Sequence, residues 1–223
     1  MARRVERPGV RSGYDRWSEG YDSTPNPLVA LDRRYTIEVL RPDRDQRILD
    51  AGCGTGAHLT ALAAAGSRPV GLDFSQGMLR VARRKNPRAL LAQADLNRCL
   101  PIKRNNCDAV LCALVSEHLT NLRTFFREAL AVLKRGGRFV FSAFHPELAA
   151  AGIEANFEQH GVEYRLGAER YGVADYLNHM DEAGFEVIRC RHFRGDSALA
   201  AEIAGASKYM DRELLLIIEA LRP

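Results

Sequence analysis

The stretch Ile48-Leu49-Asp50-Ala51-Gly52-Cys53-Gly54-Thr55-Gly56 decides the fold. A short apolar run ending in a carboxylate passes straight into three glycines, and a helix-forming run, Ala57 to Ala65, follows. Glycines let the chain turn sharply and let a ligand come close to the backbone. The next helix offers free N–H groups at its start, and nucleotide-type ligands bind at this carboxyl edge of an open α/β sheet. Two readings compete. Gly52-x-Gly54-x-x-Ala57 formally matches the dinucleotide fingerprint. Asp50 argues against it, because a carboxylate at the strand end, aimed at the ligand, repels a pyrophosphate and suits cationic groups such as an ammonium beside a sulfonium.

Outward from this loop, strand and helix alternate. Strands are expected at Arg47–Ala51, Pro69–Leu72, Leu90–Ala94, Ala109–Ala113 and Arg138–Phe144. Between them lie helices at 57–65, closed by Gly66, at 75–85 with Ser75 as N-cap, and at 122–133, stopped by Gly136-Gly137. The spacing is that of a parallel α/β sheet, and the continuous apolar strands fit burial on both faces. Before the loop, residues 1–13 read as a loose tail. Tyr14, Trp17 and Tyr21 share one face of a helix from Val10 to about Tyr21, and a second helix covers Leu28–Leu40. After Phe144 the rhythm breaks. Residues 145–170 look like an insertion, followed by a helix at 171–183 capped by Gly184, a strand at 185–193 and a last strand at 213–221.

With 223 residues, one domain with embellishments is expected: N-terminal tail and cap helices at 1–45, and a ligand-binding domain at 46–223 carrying the insertion. Net charge is +4 and diffuse, which gives no nucleic-acid surface. No apolar run reaches the ~20 residues that span a bilayer. The five cysteines form no C-x-x-C pair, which fits reduced thiols and a cytoplasmic setting. His58, His160, His179 and His192 show no metal spacing with one another or with the cysteines, so no metal is expected.

Leu-Asp-Ala-Gly-Cys-Gly-Thr-Gly at 49–56 resembles the first motif of the class I S-adenosylmethionine (AdoMet)-dependent methyltransferases. Tyr14–Asp22 is similar to the opening helix of the methyltransferase type 11, ubiquinone/menaquinone-like branch, Val70–Leu79 to its second motif, and Ala94-Asp95-Leu96 to its third. Val115–Leu119 and Leu133–Gly137 resemble later landmarks. Five motifs in order are far more specific than one. The resemblance implies a Rossmann-like, doubly wound sheet of about seven strands with the last antiparallel. It also implies contacts to AdoMet: Gly52 and Gly54 at the methionine part beside Asp50, Asp73 on the ribose hydroxyls, Phe74 and Met78 around the adenine, Asp95 on its amino group, and Leu96 as a further cofactor contact. Leu114 would lend backbone contacts, and Tyr14 would sit near the methionine carboxylate, unless the Tyr14 stripe is mere packing.

Methyl transfer is an in-line displacement in which the enzyme aligns donor and acceptor. A base helps only where the nucleophile loses a proton. His118 and His145 follow the fourth and fifth strands and are the candidates, with intrinsic pKa suited to neutrality. The insertion 145–170 is expected to act as an acceptor lid, with Glu163-Tyr164-Arg165 offering mixed contacts. The implied function is methyl transfer to O, N or C of a small molecule. A catalytically silent AdoMet-binding regulator and a NAD-type oxidoreductase are the alternatives. No Asn-Pro-Pro-Tyr-type string, which nucleobase and amide methyltransferases of this class often carry, follows the fourth strand.

Overall fold

A computed structural model describes residues 4–223; the first three residues of the expected tail lie outside the described residues. The chain runs β1 (Arg4–Glu6), α1 (Val10–Trp17), α2 (Pro27–Leu40), β2 (Arg47–Ala51), α3 (Ala57–Ala64), β3 (Arg68–Asp73), α4 (Gln76–Lys85), β4 (Leu90–Gln93) and β5 (Cys107–Ala113). It continues through α5 (Leu122–Val132), β6 (Leu133–Phe144), α6 (Pro146–Ala150), β7 (Asn156–Gln159), β8 (Val162–Arg165), α7 (Val173–Ala183), β9 (Glu186–Arg194), α8 (Ser197–Glu202) and β10 (Glu213–Leu221).

Seven strands form the main sheet in the order β4-β3-β2-β5-β6-β10-β9. The first five are parallel, and β10 runs antiparallel to both β6 and β9. This is the doubly wound sheet expected, with its last strand reversed. Strand order switches direction between β2 and β5, so the loops leaving these neighbours open a crevice at the carboxyl edge. Period-two alternation sends Ile48 to the layer of α2 and α3, with Leu31, Leu40 and Leu62, and Leu49 to the layer of α5 and α7, with Phe125, Phe126, Tyr176 and Met180. Asn26 starts α2, its side chain accepting from the N–H of Leu28 and Val29 at 3.0 and 3.3 Å.

Two local expectations change. The opening helix stops at Trp17, and Tyr21 belongs to a separate 3-10 turn. Gly136-Gly137 do not stop α5; the helix ends at Val132, Leu133 turns extended, and the glycines fall inside β6, where its register against β5 slips. Residues 145–170, expected as an insertion, have secondary structure of their own. They hold α6 and a hairpin, β7–β8, which pairs with β1 in a small sheet ordered β1-β8-β7. Its two-residue turn, His160-Gly161, has positive φ at both positions (51° and 76°), the twist a tight hairpin needs. Trp17 of α1 packs on Phe157, Tyr164 and Leu166 of this hairpin.

Candidate active site

The glycine loop divides its labour. The N–H groups of Gly52 and Cys53 both donate to the carbonyl of Leu72, at 2.7 and 2.9 Å, which clamps the loop to β3. A side chain at Gly52 (φ 88°) would place its Cβ 2.3 Å from Val115 Cγ2, so this glycine serves packing. Gly54 (φ 51°) has nothing within 4 Å of a built Cβ: its missing side chain leaves open space. The N–H of Gly54 donates to Asp73 Oδ2 at 2.8 Å, and that of Ser75 donates to Oδ1 at 2.8 Å. Burial pushes the Asp73 carboxyl up to about 6 against these two N–H groups, which draw it down. Each oxygen keeps a lone pair for a ligand hydroxyl.

A cavity of about 390 Å³ opens here, lined by Gly52, Gly54, Asp73, Phe74, Met78, Asp95, Leu96, Leu114 and Tyr14 among others. Nine of the ten residues expected at the cofactor thus share one surface. Phe74 is 38% exposed and carries Arg11 5.8 Å from its ring centre, while Met78 is buried. Asp95 takes the N–H of Asn97 on Oδ1 at 3.0 Å. Leu114 has a left-handed backbone (φ 52°), held by its N–H to the carbonyl and hydroxyl oxygens of Ser142 at 3.0 and 3.2 Å. Backbone strain of this kind persists only where surrounding contacts over-determine it.

The tenth residue, Asp50, is corrected. It is fully buried, lines no part of the cavity, and neither carboxylate oxygen has a partner among the described residues. The physical reason is strand parity. Asp50 shares the face of Ile48 and so enters the layer of α2 and α3 rather than the loop edge. Burial raises its carboxyl to about 7. Asp32 and His58 do reach the cavity wall and were not anticipated. Asp32 accepts from Thr36 Oγ1 at 2.7 Å and from Ser142, and meets His58 Nε2 at 2.7 Å.

A second cavity of about 240 Å³ adjoins the first; Tyr14, Tyr21, Val29 and Leu114 line both. Its wall includes Trp17, Phe144, Leu148, Ile153, Leu214 and Glu117. Glu117 is 6% exposed, its Oε2 has no partner among the described residues, and burial pushes its carboxyl up to about 8. Its neighbour His118 lines the first cavity, with Nε2 2.9 Å from the Tyr14 hydroxyl. Burial pulls His118 down to about 4, so the ring is neutral near pH 7 and a poor proton acceptor there, against the expectation from its intrinsic pKa. Glu117 stood inside the motif at 115–119, but only its burial with Oε2 unpartnered distinguishes it, and no local pattern announces that.

His145 is also corrected. It lines neither cavity. Its ring faces His192, Nε2 to Nδ1 at 2.9 Å, because the first residue after β6 is drawn toward the neighbouring strands by its N–H bond to the carbonyl of Leu214 (2.9 Å). Glu163 and Arg165 bond each other at 2.7 Å on the hairpin, and Arg16 donates to the Tyr164 hydroxyl at 2.6 Å.

Residues 49–141 match the family described as methyltransferase domain. The chain is 36% identical over 148 residues to demethylmenaquinone methyltransferase of Clavibacter sepedonicus, spanning 62% of this chain and 60% of that protein. The chain thus spans about three fifths of the length of such curated relatives. It is 31% identical over 220 residues to the ubiquinone/menaquinone biosynthesis C-methyltransferase UbiE of Syntrophotalea carbinolica, covering 85% of this chain and 92% of that one. Among solved structures, an S-adenosylmethionine-dependent methyltransferase from Mesorhizobium loti shares the fold at a TM-score of 0.74 and 23% identity, over 88% of this chain and all of that one.

Proposed function

Because the chain belongs to the class I AdoMet-dependent methyltransferases, in the branch of the ubiquinone/menaquinone enzymes, we propose that it methylates a small acceptor, held in the second cavity, at a ring carbon of reduced-quinone type. The observation that carries this reading is the junction of the two cavities. A glycine-built cavity ending on Asp73 meets a second, mixed polar and apolar one whose wall holds the buried carboxyl of Glu117, with Oε2 unpartnered among the described residues.

The residues of the first cavity fit AdoMet. Gly54 leaves open the space a Cβ would take, and Asp73 presents free lone pairs where β3 ends. Phe74, Met78 and Leu96 offer an apolar slot beside Asp95. Once bound, AdoMet supplies an electrophilic methyl carbon on a sulfonium. Everything else falls to the chain. Tyr14 and Leu114, shared by both cavities, hold the two ligands in line, which is the larger part of such catalysis. Glu117 takes the proton that a ring carbon loses after it is alkylated. Only the ionised form accepts a proton; with the carboxyl near 8 that form is the minor one at neutral pH, but it is a stronger base than an ordinary carboxylate, so turnover should rise with pH up to about 8. Helix α1 and the stretch 146–166 cover the acceptor and exclude water; Tyr14 and Tyr21 from one, and Leu148 and Ile153–Asn156 from the other, line the second cavity.

With Asp50 out of the cavity, discrimination against NAD rests on the family and on the shape of the slot. Calorimetric titration with AdoMet, S-adenosylhomocysteine and NAD tests the first half. Micromolar binding of the first two and none of NAD is expected; binding of NAD alone would sink the reading. Incubation with a dihydroxynaphthalene acceptor and isotopically labelled AdoMet tests the second half, with label expected on a ring carbon. Label on oxygen or nitrogen, or none despite AdoMet binding, removes the carbon acceptor.

A further inference from the structure

Outside both cavities, three adjacent strands bring metal-ligating side chains to one point. His145 follows β6, Glu213 opens β10 and His192 lies on β9. Strand β10 runs between the other two, with Leu215 opposite Phe144 and Leu216 opposite His192. One ligand atom from each of His145, His192 and Glu213 lies within 4.8 Å of the other two. The sequence separations carry no metal motif; antiparallel pairing alone assembles the group.

The surroundings are arranged as outer contacts of a metal site. Glu213 Oε1 accepts from Arg194 Nε at 2.7 Å, which fixes the carboxylate plane and leaves the buried Oε2 without a partner. His192 turns Nδ1 to the cluster and Nε2 to Cys190 Sγ, 4.0 Å away. His145 is 6% exposed and so is shielded from competing water. Such partners orient ligands and set which ring nitrogen is free.

We propose that His145, His192 and Glu213 form a binding site for a divalent transition metal ion, of zinc or cobalt type, at the end of the main sheet. Two imidazoles and one carboxylate select such ions over magnesium or calcium, which prefer oxygen ligands. Three protein ligands leave a fourth, tetrahedral position for water. One proton now lies between the facing ring nitrogens. The ion takes its place, and that proton moves to the outer nitrogen of its ring. For His145 this is Nδ1, which gives up its weak 3.4 Å contact with the N–H of Glu147. Because Phe144 and Leu214, flanking two of the ligands, line the second cavity, the ion clamps that wall from behind.

The test is titration of Co²⁺ into the tag-free full chain after chelator treatment, read by ligand-field absorption, with Zn²⁺ followed by thermal shift. One equivalent of Co²⁺ with nitrogen and oxygen ligation is expected, and His192→Asn and Glu213→Gln should each weaken it at least about tenfold. His192 is exposed on an edge strand and Glu213→Gln keeps the side chain's size, so both variants should fold, and circular dichroism checks each. Cys190→Ser should bind as the unaltered chain does. Affinity indifferent to both ligand variants, a thiolate charge-transfer band, or no binding below about 100 µM overturns the proposal.

Discussion

At the scale of single residues, two carboxyls with opposite duties can be separated by experiment. Asp73 sits at the end of β3 with one N–H on each oxygen and lone pairs to spare. Asp73→Ala should weaken AdoMet binding by at least about tenfold, or about 1.4 kcal/mol; calorimetric affinity within twofold of the unaltered protein would remove Asp73 from the site. Glu117→Gln should leave that affinity within about twofold and lower turnover by at least about a hundredfold, as expected when a catalytic proton acceptor is lost. Glu117 also makes a stability statement. In the unfolded chain it ionises near its ordinary value of 4.5, and in the fold near 8. Between these values the folded chain holds more protons, so the contribution of Glu117 to stability falls as pH rises through the window and is fully lost above about 8. The uncharged, isosteric Gln removes this dependence. The Tm gained by Glu117→Gln should therefore be larger at about pH 9 than at about pH 5, by at least about 3 °C. An equal effect at both pH values would show that Glu117 does not titrate between them.

At the scale of elements, the turn leaving β2 separates folding from binding. Gly52→Ala forces a Cβ to within 2.3 Å of Val115 in a left-handed conformation and should lower stability by several kcal/mol. Gly54→Ala meets no protein atom, so only the cost of its positive φ, about 1–2 kcal/mol, falls on stability, while AdoMet affinity should drop much further. Denaturant unfolding of the two variants beside calorimetry checks this crossing pattern; a Gly54→Ala protein that binds normally would place the ligand elsewhere. Helix α2 depends on its cap. Asn26→Ala should cost about 1 kcal/mol in the same unfolding experiment. The alternating elements and the Gly184 stop of α7 are written in runs of a few residues and are legible there. The β7–β8 hairpin also had its signal, His160-Gly161, but it lay inside the stretch read only as an insertion.

At the scale of the whole molecule, α1 is held against the sheet by polar ties. Asp15 accepts from Ser75 Oγ and the N–H of Gly77, both at 2.7 Å, and Tyr14 meets His118. On its other side Trp17 stacks on Phe157. Trp17→Ala should therefore loosen α1 and the hairpin together while the main sheet stays folded. Hydrogen exchange should show faster exchange confined to residues 4–24 and 154–166, partly restored by AdoMet; global loosening would mean that the small sheet shares the main core. The sequence by itself determined the α/β alternation, the place of the glycine loop, and the line of residues around it that ends on Asp73. Each of these depends on backbone periods and turn chemistry confined to neighbouring residues. Tertiary structure alone decided that Asp50 turns into the helix layer and that Glu117 is buried beside the second cavity, its Oε2 without a partner among the described residues. It alone decided that His145 leaves the acceptor side for His192, 47 residues away. A side chain's surroundings are set by strand parity and by what distant strands bring alongside, and such contacts leave no local trace in the order of the residues.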